Sequence, residues 1–448
     1  MDRGSAVRSR TAGVLSFVLV YLAIAIVARN FSAASVVGGA DDLLTFVIVA
    51  VLISLLVGAA SWMSSMDGSS TYKKVFVVFP PALILAVGIF NVLSQAKWFK
   101  SYGDSGELEV WVSTGRPFGR WLAGTTLLVD GYAIFKGFVY EVAPQTFVLL
   151  ASTIVMGVAS ISIPKIFGRS AMVILPLMTP IWIAMSVGYD EYYPFIAGVY
   201  LATSLWLFSS RPVHPTIAKF ALIAALPALY VGFIPLAGFA LWKLGTGMRS
   251  VQDWLKGVFV TFLAYLVIIE LSWPSGHSNY LASIHDLMSL GNLNNGYRGD
   301  ALSENSPFFS LSSVLTLWHL EDLIFCGLMA GGIATAILLS GIGWRSIGLA
   351  RVTSFRIRSL LSQTAVRGAF LVWNLFYFVF MIPKLGPVTD IDLFFMSNIV
   401  IAIFAGYLLD RKADELNLSP ATRRKWLAMI ASLNGPFIAG LMVFGVSK

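Results

Sequence analysis

Hydrophobic residues run through this chain in long unbroken stretches rather than in the alternating stripes of a soluble helix or strand. Stretches long enough to cross about 30 Å of hydrocarbon as helices lie near 12 to 28, 43 to 62, 74 to 95, 143 to 162, 170 to 187, 190 to 208, 254 to 273, 315 to 340, 368 to 384, 393 to 408 and 426 to 444. A further apolar stretch covers 122 to 140, and the segment 217 to 243 is interrupted by Pro227 and Pro235. The pattern predicts an all-α integral membrane protein, one polytopic domain over residues 1 to 448, with about 11–13 transmembrane helices. The N-terminal MDRGSAVRSR precedes an apolar run without an A-x-A-like cleavage site, which reads as a retained first helix.

Composition agrees with the pattern. The 448 residues are 57% hydrophobic and 12% charged, with a mean hydropathy of +0.79, against roughly 25% charged residues in a soluble domain. The single cysteine, Cys326, lies inside a span, which excludes an intrachain disulfide framework and a multi-thiolate metal site.

Orientation follows from the basic residues, because short cytoplasmic loops carry the excess of Lys and Arg. Arg3, Arg8 and Arg10 put the N-terminus in the cytoplasm, and the same criterion puts the loops 341 to 367 and 409 to 425 there. The two halves of the chain then disagree in parity. The disagreement disappears if 217 to 243 enters the membrane and returns as a re-entrant segment turning near Gly232; two short spans would serve equally. On this topology most of the 23 acids fall on the outside, in loops such as 96 to 121 and 274 to 314. The pI near 9.5 then reflects membrane orientation and contact with membrane lipids, and nothing resembling a basic-aromatic platform points to nucleic acid.

The outer loops hold the candidate chemistry. Residues 97 to 120 contain Gly103-Asp104-Ser105-Gly106-Glu107-Leu108-Glu109 and then Gly115-Arg116-Pro117-Phe118. A carboxylate beside the membrane can serve as general base on an acceptor hydroxyl, and Arg116 and Arg120 can hold the phosphate of a lipid-linked donor. If 104 to 112 is a short interfacial helix, Asp104 and Glu107 share a face at i, i+3, with Trp98 and Trp111 at headgroup level. A solvated amphipathic loop helix explains the same spacing. In the 274 to 314 loop, His277, His285, Asp286, Arg298 and Asp300 are candidates for contact with substrate, phosphate or a divalent ion, whereas zinc is disfavoured because no second ligand follows at i+4. Surface histidines without a special role are the alternative there. His319, Glu321 and Asp322 open a span, where ionisable groups are costly unless they face a wet cavity or a partner. Asp390 and Asp392 point the same way if their turn is extended, and would bind sugar hydroxyls or cap the next helix. Glu270 and the Asp130 of 122 to 140 are the acids expected to be partly buried. Asp41 and Asp42 read as caps of the second span.

The segment Gly115-Arg116-Pro117-Phe118-Gly119-Arg120-Trp121-Leu122, preceded by acids, resembles the early extracytoplasmic loop of the serotype-converting O-antigen glucosyltransferases of the GT-C type. Asp104-Ser105-Gly106-Glu107 also resembles the opening of a family of multispanning protein O-mannosyltransferases, without the His-Pro-Pro-Gly segment that follows there. The aromatic-rich YYPFIAGVYLATSLWLF resembles a segment of the same glucosyltransferases, and is equally an ordinary lipid-facing helix. In GT-C enzymes the catalytic acid usually follows the first span. Here Asp41-Asp42 occupies that place, so either two helices have been added ahead of Asp104, or Asp41 or Asp42 is the base, or the likeness is fortuitous.

The resemblance implies a GT-C-like enzyme of the bacterial inner (plasma) membrane, transferring a sugar with inversion from a polyprenyl-phosphate donor to a glycan, lipid or protein acceptor. Asp104 would be the base, with Glu107 second, Arg116 and Arg120 on the donor phosphate, and Tyr102 or Trp111 stacked on a sugar. Arginines would neutralise a lipid monophosphate without a metal, so no cofactor is expected. Two other classes fit the same scaffold. A polysaccharide polymerase suits the long 274 to 314 loop but would carry more outer arginines than Arg29, Arg116, Arg120 and Arg298. A transporter or lipid flippase would pair broken helices in its two halves, and only 217 to 243 is visibly interrupted.

Overall fold

The computed structural model describes residues 50–59, 61, 110, 112–115, 122–138, 143–186, 192–209, 214–248, 250–272, 317–340, 362–380 and 394–446, and among these there are helices and turns but no strand. In chain order the helices are α1 (Ala50–Ala59), α2 (Leu122–Phe138), α3 (Pro144–Phe167), α4 (Ala171–Leu177), α5 (Pro180–Ser186), α6 (Tyr193–Phe208), α7 (Ile217–Ile223), α8 (Ala225–Leu229), α9 (Ile234–Gly245) and α10 (Val251–Ser272). They continue with α11 (Leu317–Gly331), α12 (Ile333–Leu339), α13 (Gln363–Phe380), α14 (Phe395–Glu415), α15 (Pro420–Ser432) and α16 (Gly435–Val446).

The outer surface explains why the chain needs a membrane. Along α10 the side chains of Leu255, Phe259, Phe262, Leu263, Val267 and Leu271 all face outward, Leu271 at 82% exposure. Leu127, Ile134 and Phe138 of α2, and Val372, Trp373 and Phe376 of α13, do the same. So much contiguous apolar surface would be intolerable in water and is the expected coat of a helix in lipid. The opposite faces of these helices close on a single core in which α14 is central. It packs against α4, α6, α11, α12 and α13, and residues 395 to 406 are buried without a break.

The bundle has two chemically different ends. Rings of Tyr193 and Phe395 lie 5.3 Å apart, so α6 and α14 start together and run parallel. Their other ends gather Lys243, Arg367, Asp410 and Arg423, which is called the basic end here. At the far end Thr126 donates to the carbonyl of Ser272, and His319 meets the carbonyl of Val379. The expected alternation of spans from 143 to 425 matches this sorting.

The segment 217 to 243 is a helical hairpin. Thr216 caps α7 by accepting from the Lys219 amide, and the chain turns through Tyr230 and a 3-10 turn at Val231–Phe233 before α9. Lys243, fully buried, then returns to the end of α6: its Nζ donates to the carbonyls of Trp206, Leu207 (3.2 Å) and Ser209 (2.9 Å). Since α7 begins eight residues after Ser209, both hairpin ends lie at one end of the bundle, which removes the parity conflict. Its tip reaches the far end, where the Tyr192 hydroxyl donates to the Leu229 carbonyl at 2.9 Å. The 12 residues of α9 span only about 18 Å.

Three expected spans are not continuous. The 170 to 187 stretch is α4 and α5, split at Thr179 where Pro176 and Pro180 withhold amide donors. The 315 to 340 stretch is α11 and α12, split at Gly332, whose φ of 59° is easy only for glycine. The 426 to 444 stretch is the end of α15 and then α16, split at Asn434, with α15 beginning earlier at Pro420 under a Ser419 cap. The connector 409 to 425 is mostly helix, since α14 runs on to Glu415.

Candidate functional site

Eleven of the candidate residues, Tyr102, Asp104, Glu107, Trp111, Arg116, Arg120, His277, His285, Arg298, Asp390 and Asp392, lie outside the described residues, as do Asp41 and Asp42. Part of the first loop is nevertheless described. Residues 110 and 112–114 are helical, and the hydroxyls of Ser113 and Thr114 both donate back to the Val110 carbonyl, at 2.9 and 2.7 Å. Gly115 follows with φ 71°, a left-handed residue placed where such a helix ends. Val112 is 2% exposed and belongs to the main core. The acid-bearing half of the loop therefore leads into a helical turn that is pinned to the membrane domain, and the Gly-Arg-Pro segment starts at its exit.

His319 and Asp322 are described, and both are buried, at 0% and 2% exposure. Their i, i+3 spacing sets them on one face of the first turn and a half of α11, and Glu321 points outward instead. His319 Nε2 lies 2.8 Å from the Val379 carbonyl near the end of α13, which fixes the ring across the helix pair. Ionisable groups held inside protein at membrane depth are expensive unless they meet a partner, and the contact with Val379 supplies one for His319. Next to them stands an aromatic cluster: Tyr193 with Tyr230 and Phe395, Tyr200 with Phe233 and Phe395, and Phe378 with Phe394. Tyr200 donates its hydroxyl to Asn374 Oδ1 at 2.7 Å, which joins α6 to α13 beneath the cluster. These rings are buried in the main core or packed against it, where they tie α6, α13 and α14 to one another. Among the described residues no three His, Cys, Asp or Glu side chains converge as a metal site.

Two expectations about acids are corrected. Asp130 and Glu270 are exposed, because α2 and α10 turn them away from the core. Besides Asp322, it is Asp410 that sits partly inside. Its two carboxylate oxygens accept from the amides of Ala171 (2.9 Å) and Met172 (3.0 Å), capping α4 from a different helix. Burial pushes this carboxyl up, against the pull of those hydrogen bonds.

Sequence reasoning missed Asn434. Its Oδ1 accepts from the Ile333 amide at 2.8 Å, and its Nδ2 donates to the Met178 carbonyl at 2.7 Å. The three helix breaks thus meet on one buried amide side chain. The Asn-Gly-Pro run at 434 to 436, inside an apolar stretch, was the available signal.

No family model and no curated protein matches this sequence. Among solved structures, that of ArnT from Cupriavidus metallidurans bound to undecaprenyl phosphate is similar with a TM-score of 0.43 and 14% identity, covering 82% of this chain and 77% of that one. A likeness of that degree assigns this chain neither a family nor an activity.

Proposed function

We propose that the protein is a membrane glycosyltransferase that moves a sugar from a polyprenyl-phosphate donor to a glycan, lipid or protein acceptor on the extracytoplasmic face. The observation that carries this reading is the 97 to 120 loop, where acids precede Arg116 and Arg120 and the intervening turn is anchored through Val112. Anchoring favours a positioned base over a loop that merely solvates its acids.

In the reaction, the acceptor hydroxyl loses its proton to Asp104, and its oxygen attacks the anomeric carbon from the face opposite the phosphate. The anomeric C–O bond breaks as the new one forms, which inverts the configuration and releases polyprenyl phosphate. Arg116 and Arg120 stabilise the charge gathering on the leaving phosphate, and Tyr102 or Trp111 stacks on the sugar.

The test is thermal stabilisation of the purified protein by polyprenyl phosphate, several polyprenyl-phosphate sugars and a lipid without phosphate, in wild type and Arg116→Ala, followed by a transfer assay. A sugar-selective shift that Arg116→Ala removes is expected, and Asp104→Asn should cut transfer by about 10²-fold or more at unchanged thermal stability. Full transfer by Asp104→Asn would move the base elsewhere, and no shift with any lipid phosphate would sink the reading.

One observation favours a transporter or lipid flippase instead: the three helix breaks that meet at Asn434, since discontinuous helices near mid-membrane are a transporter device. Lipid-phosphate translocation in proteoliposomes, without sugar transfer, would select that reading.

A further inference from the structure

A second polar site lies at the basic end of the bundle, opposite the end that holds His319. Between the α3–α4 turn, the end of α14 and the start of α15 there is a cleft of about 300 Å³. Its rim holds Arg169, Arg423 and Arg424, and Trp426 stands beside them. Deeper in, Leu409, Leu427 and Ile430 make an apolar wall.

Three guanidiniums share this rim, and the carboxylates beside them are Asp410 and Asp414. Asp410 lines the cleft, and its two oxygens accept from the amides of Ala171 and Met172. Arg423 pairs with Asp414 at 2.6 Å and gives its Nε to the Leu418 carbonyl. Arg424 makes no hydrogen bond or ion pair with any described residue. Arginine presents its donors in a planar fork that matches a phosphate, so Arg424 offers the cleft a set of donors that no described residue takes up. An apolar wall directly beneath them asks for a ligand with a hydrocarbon part. A tryptophan at the same level marks the headgroup layer.

We propose that this cleft binds the headgroup of an anionic phospholipid of the cytoplasmic leaflet, its phosphate on Arg169, Arg423 and Arg424 and an acyl chain along Leu427 and Ile430. Basic pockets between helices on the cytoplasmic side are the usual form of such recognition. The site is independent of the glycosyltransferase reading. The bound lipid bridges the α3–α4 turn and the start of α15, and so adds to the contacts that already hold the basic end of the bundle together.

Native mass spectrometry of the purified protein, with thermal melts in parallel, tests this with phosphatidylglycerol, phosphatidylcholine and inorganic phosphate as separate probes. Wild type should retain phosphatidylglycerol in preference to phosphatidylcholine and melt higher with it. Arg424→Gln, at a half-exposed position, should lower that retention about tenfold, and Arg424→Lys should restore part of it. Equal retention of the two lipids, or unchanged retention in both Arg424→Gln and Arg169→Gln, would overturn the proposal. Saturation by inorganic phosphate alone, with no further gain from the lipid, would make this a free-phosphate site and overturn it as well.

Discussion

The side chain of Asn434 stands between a carbonyl at the end of α4 and an amide at the start of α12, both at a depth where water does not reach. In lipid an unmet backbone group costs several kcal/mol, so broken helices survive only where protein supplies the missing partner. A carboxamide carries its acceptor and its donor on two separate atoms of one neutral group, so asparagine can meet both backbone groups at once. Asn434→Leu should destabilise the protein by about 1–3 kcal/mol for each orphaned group, measured by denaturation in detergent. Asn434→Asp keeps the acceptor but loses the donor and should fall no closer to wild type than Asn434→Ala. A melting temperature unchanged in Asn434→Leu would show that the three breaks hold without it. At this scale the sequence disclosed its chemistry unevenly. His319 and Asp322 could be singled out because charge in an apolar run is conspicuous. The roles of Asn434, Lys243 and Asp410 could not be read, because their partners lie between 34 and 256 residues away in the chain, and the Asn-Gly-Pro run signalled only a break at Asn434.

The helical hairpin is the element whose existence was hardest to settle from pattern alone. Pro227 and Pro235 announced an interruption, yet a hairpin and two independent short spans have the same hydropathy. Lys243 makes the difference, because its ammonium closes the hairpin on the last carbonyls of α6, where a helix end leaves acceptors unmet. Arg367 of α13 donates to the same Ser209 carbonyl at 2.9 Å. The two cations therefore form one cap contributed by two distant helices. Lys243→Met and Arg367→Met should each destabilise, and a double-mutant cycle should show a coupling of about 0.5–3 kcal/mol. Strict additivity would show that the two side chains act separately. The 110 to 115 turn teaches a related lesson: an interfacial helix up to 112 was expected from spacing, but its burial at Val112 depends on the core waiting for it.

Across the whole molecule, the sorting of polar side chains to two ends of an apolar bundle gives a topology that can be probed directly. With Cys326→Ala as background, His214→Cys and Gln252→Cys flank the hairpin and should both label only from the cytoplasmic side. Ser113→Cys should label from outside in intact cells, using a membrane-impermeant maleimide. His214→Cys and Gln252→Cys appearing on opposite sides would break the hairpin reading. What the sequence alone determined is the class, a helical membrane protein, and the alternation of its apolar stretches from 143 to 425. These follow from hydropathy and charge, which are summed locally and need no knowledge of neighbours. The acid-and-arginine loop could be singled out for the same reason, as a short run of adjacent residues, although its acids and arginines lie outside the described residues. Tertiary structure decided where helices break, which polar side chains are buried, and how the three arginines come to share one cleft. Each of those depends on hydrogen bonds and contacts between residues far apart in the chain, and such pairings leave no trace in any local window of sequence.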